Sequence, residues 1–145
     1  MRFKKSDKMS TYLFSFVAGR FIKIKTVLDG LEMTMLHREP DTEKVNRNLK
    51  EIFSLHKDSI NYMENYTGIK FPFQKFGFVL IPDFQFGGME HIGAIQYRAA
   101  SLMLDENPST TDLLSRASLI GHETSHMWFG DLVTMDWFDD VWTND

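Results

Sequence analysis

The sequence contains no cysteine, no long apolar run and no excess of basic residues. Because cysteine is absent, disulfides and thiolate metal sites are excluded, and any metal site must use histidine and carboxylate side chains. The formal net charge of −4 offers no basic surface for nucleic acid, so we expect no nucleic-acid partner. No apolar run reaches the roughly 18 residues that a membrane-spanning helix needs, so we expect no membrane segment.

The composition is that of a folded globular chain. Its 145 residues are 43% hydrophobic, 14% aromatic and 25% charged, which suits one ordinary domain with a core. An apolar run at residues 12–18 follows a segment with the basic residues Arg2, Lys4 and Lys5, but Ser15 interrupts it and no small-residue cleavage site follows. We therefore interpret it as a strand rather than a signal peptide, and a cytoplasmic location is the default expectation.

Alternation and helical periodicity predict a mixture of strands and helices. Asp41 or Thr42 is a suitable N-cap for the first long helix, and Gly68 a suitable left-handed cap at its end. His56 lies on the apolar face of that helix, where no second ligand accompanies it, so we interpret it as a core histidine. The predicted strands are 12–17, 21–27, 31–36 and 76–81, and the predicted helices are 43–66 and 112–129, the second stopped by Gly130.

The most informative segment reads His122-Glu123-Thr-Ser-His126. On a helix, two histidines four residues apart project from one face and can bind one metal ion, while Glu123 lies beside the metal and can take a proton from water. The alternative is two surface histidines beside an incidental glutamate. Eighteen residues separate His126 from Asp145, a carboxylate that can act as the third ligand of a zinc site.

Two glycines mark a second feature upstream. Gly87 and Gly88 follow the predicted buried strand 76–81 and precede Met89-Glu90-His91. Paired glycines in a strand context indicate that another backbone or a ligand comes close.

Together these segments resemble the M1 (gluzincin) zinc aminopeptidases. Residues 122–135 and the following Trp137-Phe-Asp-Asp-Val-Trp142 and Asn144-Asp145 are similar to the family pattern H-E-x-x-H, W-F-G-N-L-V-T-M, then D-L-W-L-N-E. Residues 87–91 resemble the family's G-x-M-E-N motif, and 31 residues separate its glutamate, Glu90, from the first histidine of H-E-x-x-H. Residues 9–13 and 81–84 also match family segments, so the resemblance covers essentially the whole chain.

The resemblance implies an enzyme that removes N-terminal residues from peptides by attack of a zinc-activated water. It assigns one zinc ion to His122, His126 and Asp145, and proton transfer to Glu123. Glu90 is implied to bind the free α-ammonium group of the peptide, so that only the first residue is released. The implied substrate site consists of Gly87, Gly88, Met89, Glu90 and His91, and Asp140 is either a carboxylate that orients a zinc histidine or a charge at a helix start.

Two departures from the family pattern bear on the predicted site. His91 replaces the asparagine of G-x-M-E-N, which alters the floor of the substrate site and its response to pH. Asp145 replaces the third-ligand glutamate and is shorter by one methylene, so we expect weakened zinc binding.

The implied architecture is α+β: the N-terminal catalytic subdomain of a thermolysin-like zincin, with a mixed sheet and an active-site helix. Residues 1–30 correspond to the last strands of a β-domain and residues 31–145 to half of the catalytic domain. The family's oxyanion-stabilising tyrosine lies beyond the third ligand, so we expect an incomplete, weakly active fragment whose exposed strand edges favour self-association. The other functions considered are a peptide-binding pseudoenzyme with a decayed zinc site and a bifunctional epoxide hydrolase/aminopeptidase.

Overall fold

A five-stranded mixed sheet and two long helices form the fold. The structure is a computed structural model that describes residues 5–143. The strands are β1 (Ile22–Leu28), β2 (Leu31–His37), β3 (Phe76–Ile81), β4 (Gly88–Met89) and β5 (Ile95–Arg98). The helices are α1 (Thr42–Thr67), α2 (Ala99–Leu102) and α3 (Thr110–Ser125), with 3₁₀ turns at Thr11–Leu13 and Phe138–Thr143.

The sheet order is β1-β2-β3-β5-β4. The hairpin β1–β2 is antiparallel, and Asp29 and Gly30 at its turn both have positive φ. β2, β3 and β5 are parallel neighbours, and β4 is antiparallel to β5 at the edge. Helix α1 provides the long connection that the parallel pair of β2 and β3 requires. The fold is therefore α+β with a mixed sheet, as the sequence predicts.

Helix α1 has the caps expected from the sequence. The Asp41 side chain accepts hydrogen bonds from the backbone N–H groups of Glu43 and Lys44, at 2.9 and 3.1 Å. Gly68 adopts φ 71° and donates its N–H to the Glu64 carbonyl. The apolar face between these caps is buried in the core and packs against α3.

One predicted strand is absent. Residues 12–17 begin inside the 3₁₀ turn Thr11–Leu13 and then continue without regular structure, and β1 pairs with β2 alone. A strand needs a neighbour to satisfy its backbone, and none of the described residues pairs with this segment. Phe14 and Phe16 are consequently 69% and 80% exposed.

Helix α3 ends four residues earlier than predicted. It begins with a capping box in which Ser109 and Asp112 bond each other's backbone N–H groups. After Ser125 the N–H groups of Met127 and Trp128 bond carbonyls three residues back, and the chain then reverses at Gly130, whose φ is 124°. None of the helices within residues 5–143 is long and apolar enough to cross a membrane.

Candidate active site

The last turn of α3 brings the two histidines of the motif together. The Nε2 atoms of His122 and His126 are 3.1 Å apart, and their rings meet at 83°. Two ligands held at 2.0–2.1 Å by one tetrahedral zinc ion are separated by about 3.3 Å. The spacing of these nitrogens therefore fits a shared metal ion.

His126 is fixed in the tautomer that a metal ligand needs. Its Nδ1 atom lies 3.0 Å from the carbonyl of Phe129, and a carbonyl can only accept, so Nδ1 carries the proton. Nε2 is then left with its lone pair on the side that faces His122. Asp140 is exposed in the second 3₁₀ turn, and the polar partner that holds the outer nitrogen of His126 is the Phe129 carbonyl.

The Glu123 carboxylate is buried against Gly88 of the edge strand β4. A Cβ atom at Gly88 would overlap that carboxylate, whereas one at Gly87 would meet only the flexible end of Leu119 at 3.3 Å. The close neighbour indicated by the paired glycines is thus the Glu123 side chain. Only glycine at position 88 leaves room for it.

Glu90 lies beside the motif, directly after β4. One carboxylate oxygen of Glu90, one of Glu123 and a ring nitrogen of His126 lie within 4.8 Å of one another, and all three residues are buried. Within residues 5–143 this is the group of three potential ligands that lies closest together. The histidine pair fits a zinc ion better than this group does, because neutral imidazoles are preferred zinc ligands and the pair has the required spacing.

The remaining residues of the G-x-M-E-N-like segment connect the site to its surroundings. Met89 pairs with Gln96 of β5. The Nδ1 atom of His91 lies 3.1 Å from the Leu13 carbonyl, within the N-terminal 3₁₀ turn. Tyr12 in the same turn donates to the Gly130 carbonyl at 3.5 Å. This turn therefore contacts both the segment that contains His91 and the loop that follows α3.

Sequence reasoning missed Asp131. Its side chain is 5% exposed, and neither carboxylate oxygen has a hydrogen-bond partner among the described residues. Burial, then the charges of Glu90 and Glu123, raise the pKa of Asp131 to about 8. The available signal was its position in the family pattern quoted above, where W-F-G is followed by asparagine rather than aspartate.

A second buried polar group, His56 with Tyr97, lies in the core next to Glu123. His56 Nδ1 donates to the Ile52 carbonyl at 2.8 Å, so its Nε2 accepts from the Tyr97 hydroxyl at 3.1 Å. Burial lowers the pKa of His56 to about 4. Burial and the charge of Glu123 raise the pKa of Tyr97 well above its usual value. His56 is thus a core histidine, as the sequence predicts.

Asp145, the predicted third ligand, lies outside the described residues. The structure therefore brings together His122, Glu123, His126 and Glu90 among the predicted site residues, and adds Asp131. Gly87, Gly88, Met89 and His91 form the adjoining edge of the site.

Comparison with known proteins identifies a family for this chain. The model of the peptidase family M1 domain matches residues 52–145. The chain is 39% identical over 143 residues to Probable aminopeptidase 2 of Sulfurisphaera tokodaii, a match that covers 99% of this chain and 18% of that protein. It is 35% identical over 145 residues to Endoplasmic reticulum aminopeptidase 2 of Bos taurus, covering 99% of this chain and 15% of that protein. It is 34% identical over 149 residues to Aminopeptidase N of Lactobacillus delbrueckii subsp. lactis, covering 99% and 17%. The chain thus spans less than a fifth of the length of these relatives.

Proposed function

Because this chain belongs to peptidase family M1, we propose that it forms part of the catalytic domain of a zinc-dependent aminopeptidase. The observation that carries the proposal is the convergence of Glu90 with Glu123 and His126 within 4.8 Å. A binding group for a peptide N-terminus thereby lies directly beside the groups that would cleave its first bond. The finer architecture of a thermolysin-like zincin, with a boundary near residue 30, belongs to the same proposal.

His122 and His126 would hold the zinc ion, with Asp145 as the proposed third ligand. When bound, zinc supplies Lewis-acid chemistry that makes water acidic and polarises a carbonyl. The neutral Nε2 of His126, fixed by the Phe129 carbonyl, supports this role.

Glu123 would act as the general base. Its carboxylate is buried beside His126, close enough to take a proton from a water molecule that attacks the peptide carbonyl, and to return it to the departing amine. Gly88 keeps the space that this carboxylate occupies. The Glu123 side chain is therefore packed closely against the backbone of β4.

Glu90 would bind the α-ammonium group of the substrate. A charge-assisted hydrogen bond there fixes which peptide bond lies over Glu123 and selects peptides with a free N-terminus. The outer edge of β4 at Gly88 and Met89 has no further strand among the described residues. A peptide backbone can add to that edge as another strand.

The test is hydrolysis of leucine p-nitroanilide and of its N-acetylated form by the protein that carries this chain, with and without a chelator. We expect chelator-sensitive release from the free amine alone. Glu123→Gln should abolish hydrolysis while zinc stays bound, and Glu90→Gln should lower kcat/KM by at least tenfold. Glu106→Gln is the matched control, since Glu106 is an exposed acid that is not among the proposed site residues.

Other outcomes would replace the proposal. Peptide binding without turnover in the zinc-loaded protein indicates a pseudoenzyme, and equal hydrolysis of both substrates excludes the role of Glu90. Equilibrium dialysis tests the ligands separately: zinc binding should be weak and should disappear in His126→Ala. Tight, stoichiometric zinc would contradict the expected effect of Asp145.

A further inference from the structure

We infer that Asp131 forms, together with Glu90, the binding site for the substrate's α-ammonium group. This inference rests on the proposed aminopeptidase function and adds a residue that determines specificity. Its basis is a buried carboxylate that has no hydrogen-bond partner among the described residues. The backbone N–H of Asp131 bonds the carbonyl of His126, whose ring lies in one group with Glu90, and the charge of Glu90 acts on the Asp131 carboxylate.

The loop after α3 places Asp131 at the site. The N–H of Asp131 donates to the His126 carbonyl at 3.0 Å, and the N–H of Gly130 donates to the Val133 carbonyl at 2.7 Å. Together with the contact between His126 and the Phe129 carbonyl, these bonds hold the loop closed against the end of the helix. Asp131 is therefore placed by a constrained backbone rather than by a mobile segment.

The charges at the site are unbalanced. Glu90, Glu123 and Asp131 are all buried, and none of the ion pairs among residues 5–143 includes Glu90 or Asp131. A buried carboxylate is costly unless a cation or hydrogen-bond donors accompany it. One divalent ion would not neutralise these three carboxylates together with the proposed ligand Asp145, so negative charge would remain for an ammonium group to offset.

Asp131 does not fit the two structural roles available to it. The outer nitrogen of His126 is already held by the Phe129 carbonyl, so Asp131 is not needed to orient that ring. Within the described residues, the group of potential ligands that lies within 4.8 Å contains Glu90, Glu123 and His126 but not Asp131. The position of Asp131 therefore favours a cation beside the metal site over direct coordination.

An ammonium group suits this arrangement chemically. It has three donors, so it can bond Glu90 and Asp131 at the same time and still bond a third acceptor. Peptides with a blocked N-terminus would leave both carboxylates buried without a donor. Such a pair therefore rejects blocked peptides more strongly than Glu90 alone.

The experiment compares two probes on the zinc-loaded protein by calorimetry: leucine hydroxamate and 4-methylpentanohydroxamate, which lacks only the amine. In Asp131→Asn we expect the dissociation constant of leucine hydroxamate to rise by about tenfold or more, because a hydrogen bond to a charged group is lost. The constant of the probe without the amine should change by less than about twofold. Asp139→Asn, which removes an exposed acid, is the matched control and should affect neither probe.

The outcomes separate this inference from the function on which it rests. Equal weakening of both probes in Asp131→Asn indicates a structural role and overturns the inference, as does no change in either probe while Glu90→Gln still weakens leucine hydroxamate. If Glu90→Gln has no effect either, the proposed function fails as well. Since asparagine has nearly the shape of aspartate, retained binding of the probe without the amine shows that the variant is folded.

Discussion

Two sets of buried polar side chains lie next to Glu123. They differ in whether their polar atoms have hydrogen-bond partners in the protein. In the interior pair, His56 and Tyr97, each ring nitrogen and the hydroxyl have a partner within 3.1 Å. In the acidic cluster, Glu90, Glu123 and Asp131, both oxygens of Asp131 lack a partner among residues 5–143, and like charges adjoin. Buried polar atoms that all have hydrogen-bond partners are typical of a structural role. Buried like charges without a counter-charge are typical of a site that binds a ligand.

The pH dependence of stability gives the largest expected effect, and it tests the interior pair. The pKa of His56 is about 4 in the folded chain and about 6.5 when unfolded. Between these values the unfolded state binds more protons, so the free energy of unfolding falls as the pH is lowered from 6.5 to 4, by about 3 kcal/mol.

Urea denaturation of the wild type and of His56→Gln across this window measures the effect. In the variant the free energy of unfolding should depend less steeply on pH, by about one proton. Burial also lowers the pKa of His37, and this contribution remains in both proteins. Identical curves would show that folding does not lower the pKa of His56.

Gly88 tests how tightly the acidic cluster is built. In Gly88→Ala the new methyl group overlaps the Glu123 carboxylate, so we expect the free energy of unfolding to fall by about 2 kcal/mol. Gly87→Ala is the control, because its methyl group meets only the flexible end of Leu119. Chemical denaturation compares the two; equal losses would mean that Glu123 moves away without cost.

Tyr97→Phe removes one partner from the interior pair. His56 Nε2 is then buried without a donor, and we expect a loss of about 1.5 kcal/mol in the free energy of unfolding. Tyr62→Phe removes a hydroxyl from an exposed ring and should cost almost nothing. A similar small change in both variants would show that water replaces the Tyr97 hydroxyl.

Asp131→Asn should have the smallest effect and the opposite sign. In the presence of a chelator at neutral pH it removes a buried acid without a partner, so the free energy of unfolding should rise by about 1 kcal/mol. Thermal denaturation against Asp139→Asn, an exposed acid, measures this. If Asp131→Asn is less stable than the wild type, Asp131 has a structural role like that of His56 and Tyr97.

The parts of the fold that sequence predicted are those with local causes. The N-cap Asp41, the left-handed Gly68 and the apolar stripe between them fix α1 without reference to the rest of the chain. The metal motif is equally local, because helical spacing alone places His122 and His126 on one face.

The parts that sequence missed depend on distant partners. The apolar run at residues 12–17 suggested a strand, but a strand forms only where it pairs with a neighbour. This segment does not pair with β1, whose outer edge has no partner strand among the described residues. The burial of Asp131 is likewise set by the loop that folds back from Gly130, not by its neighbours in sequence. The predicted end of α3 failed because the tight turn begins at Ser125, before the glycine that completes the reversal.

The termination of α3 at Ser125 also has an electrostatic consequence of its own. The aligned peptide dipoles of a helix leave roughly half a negative charge at its C-terminal end, on carbonyls that no longer bond within the helix. His122 lies in the final turn of this 16-residue helix and His126 at its C-cap. The backbone therefore attracts a cation to the motif before any side chain is counted, and this attraction weakens as salt screens it.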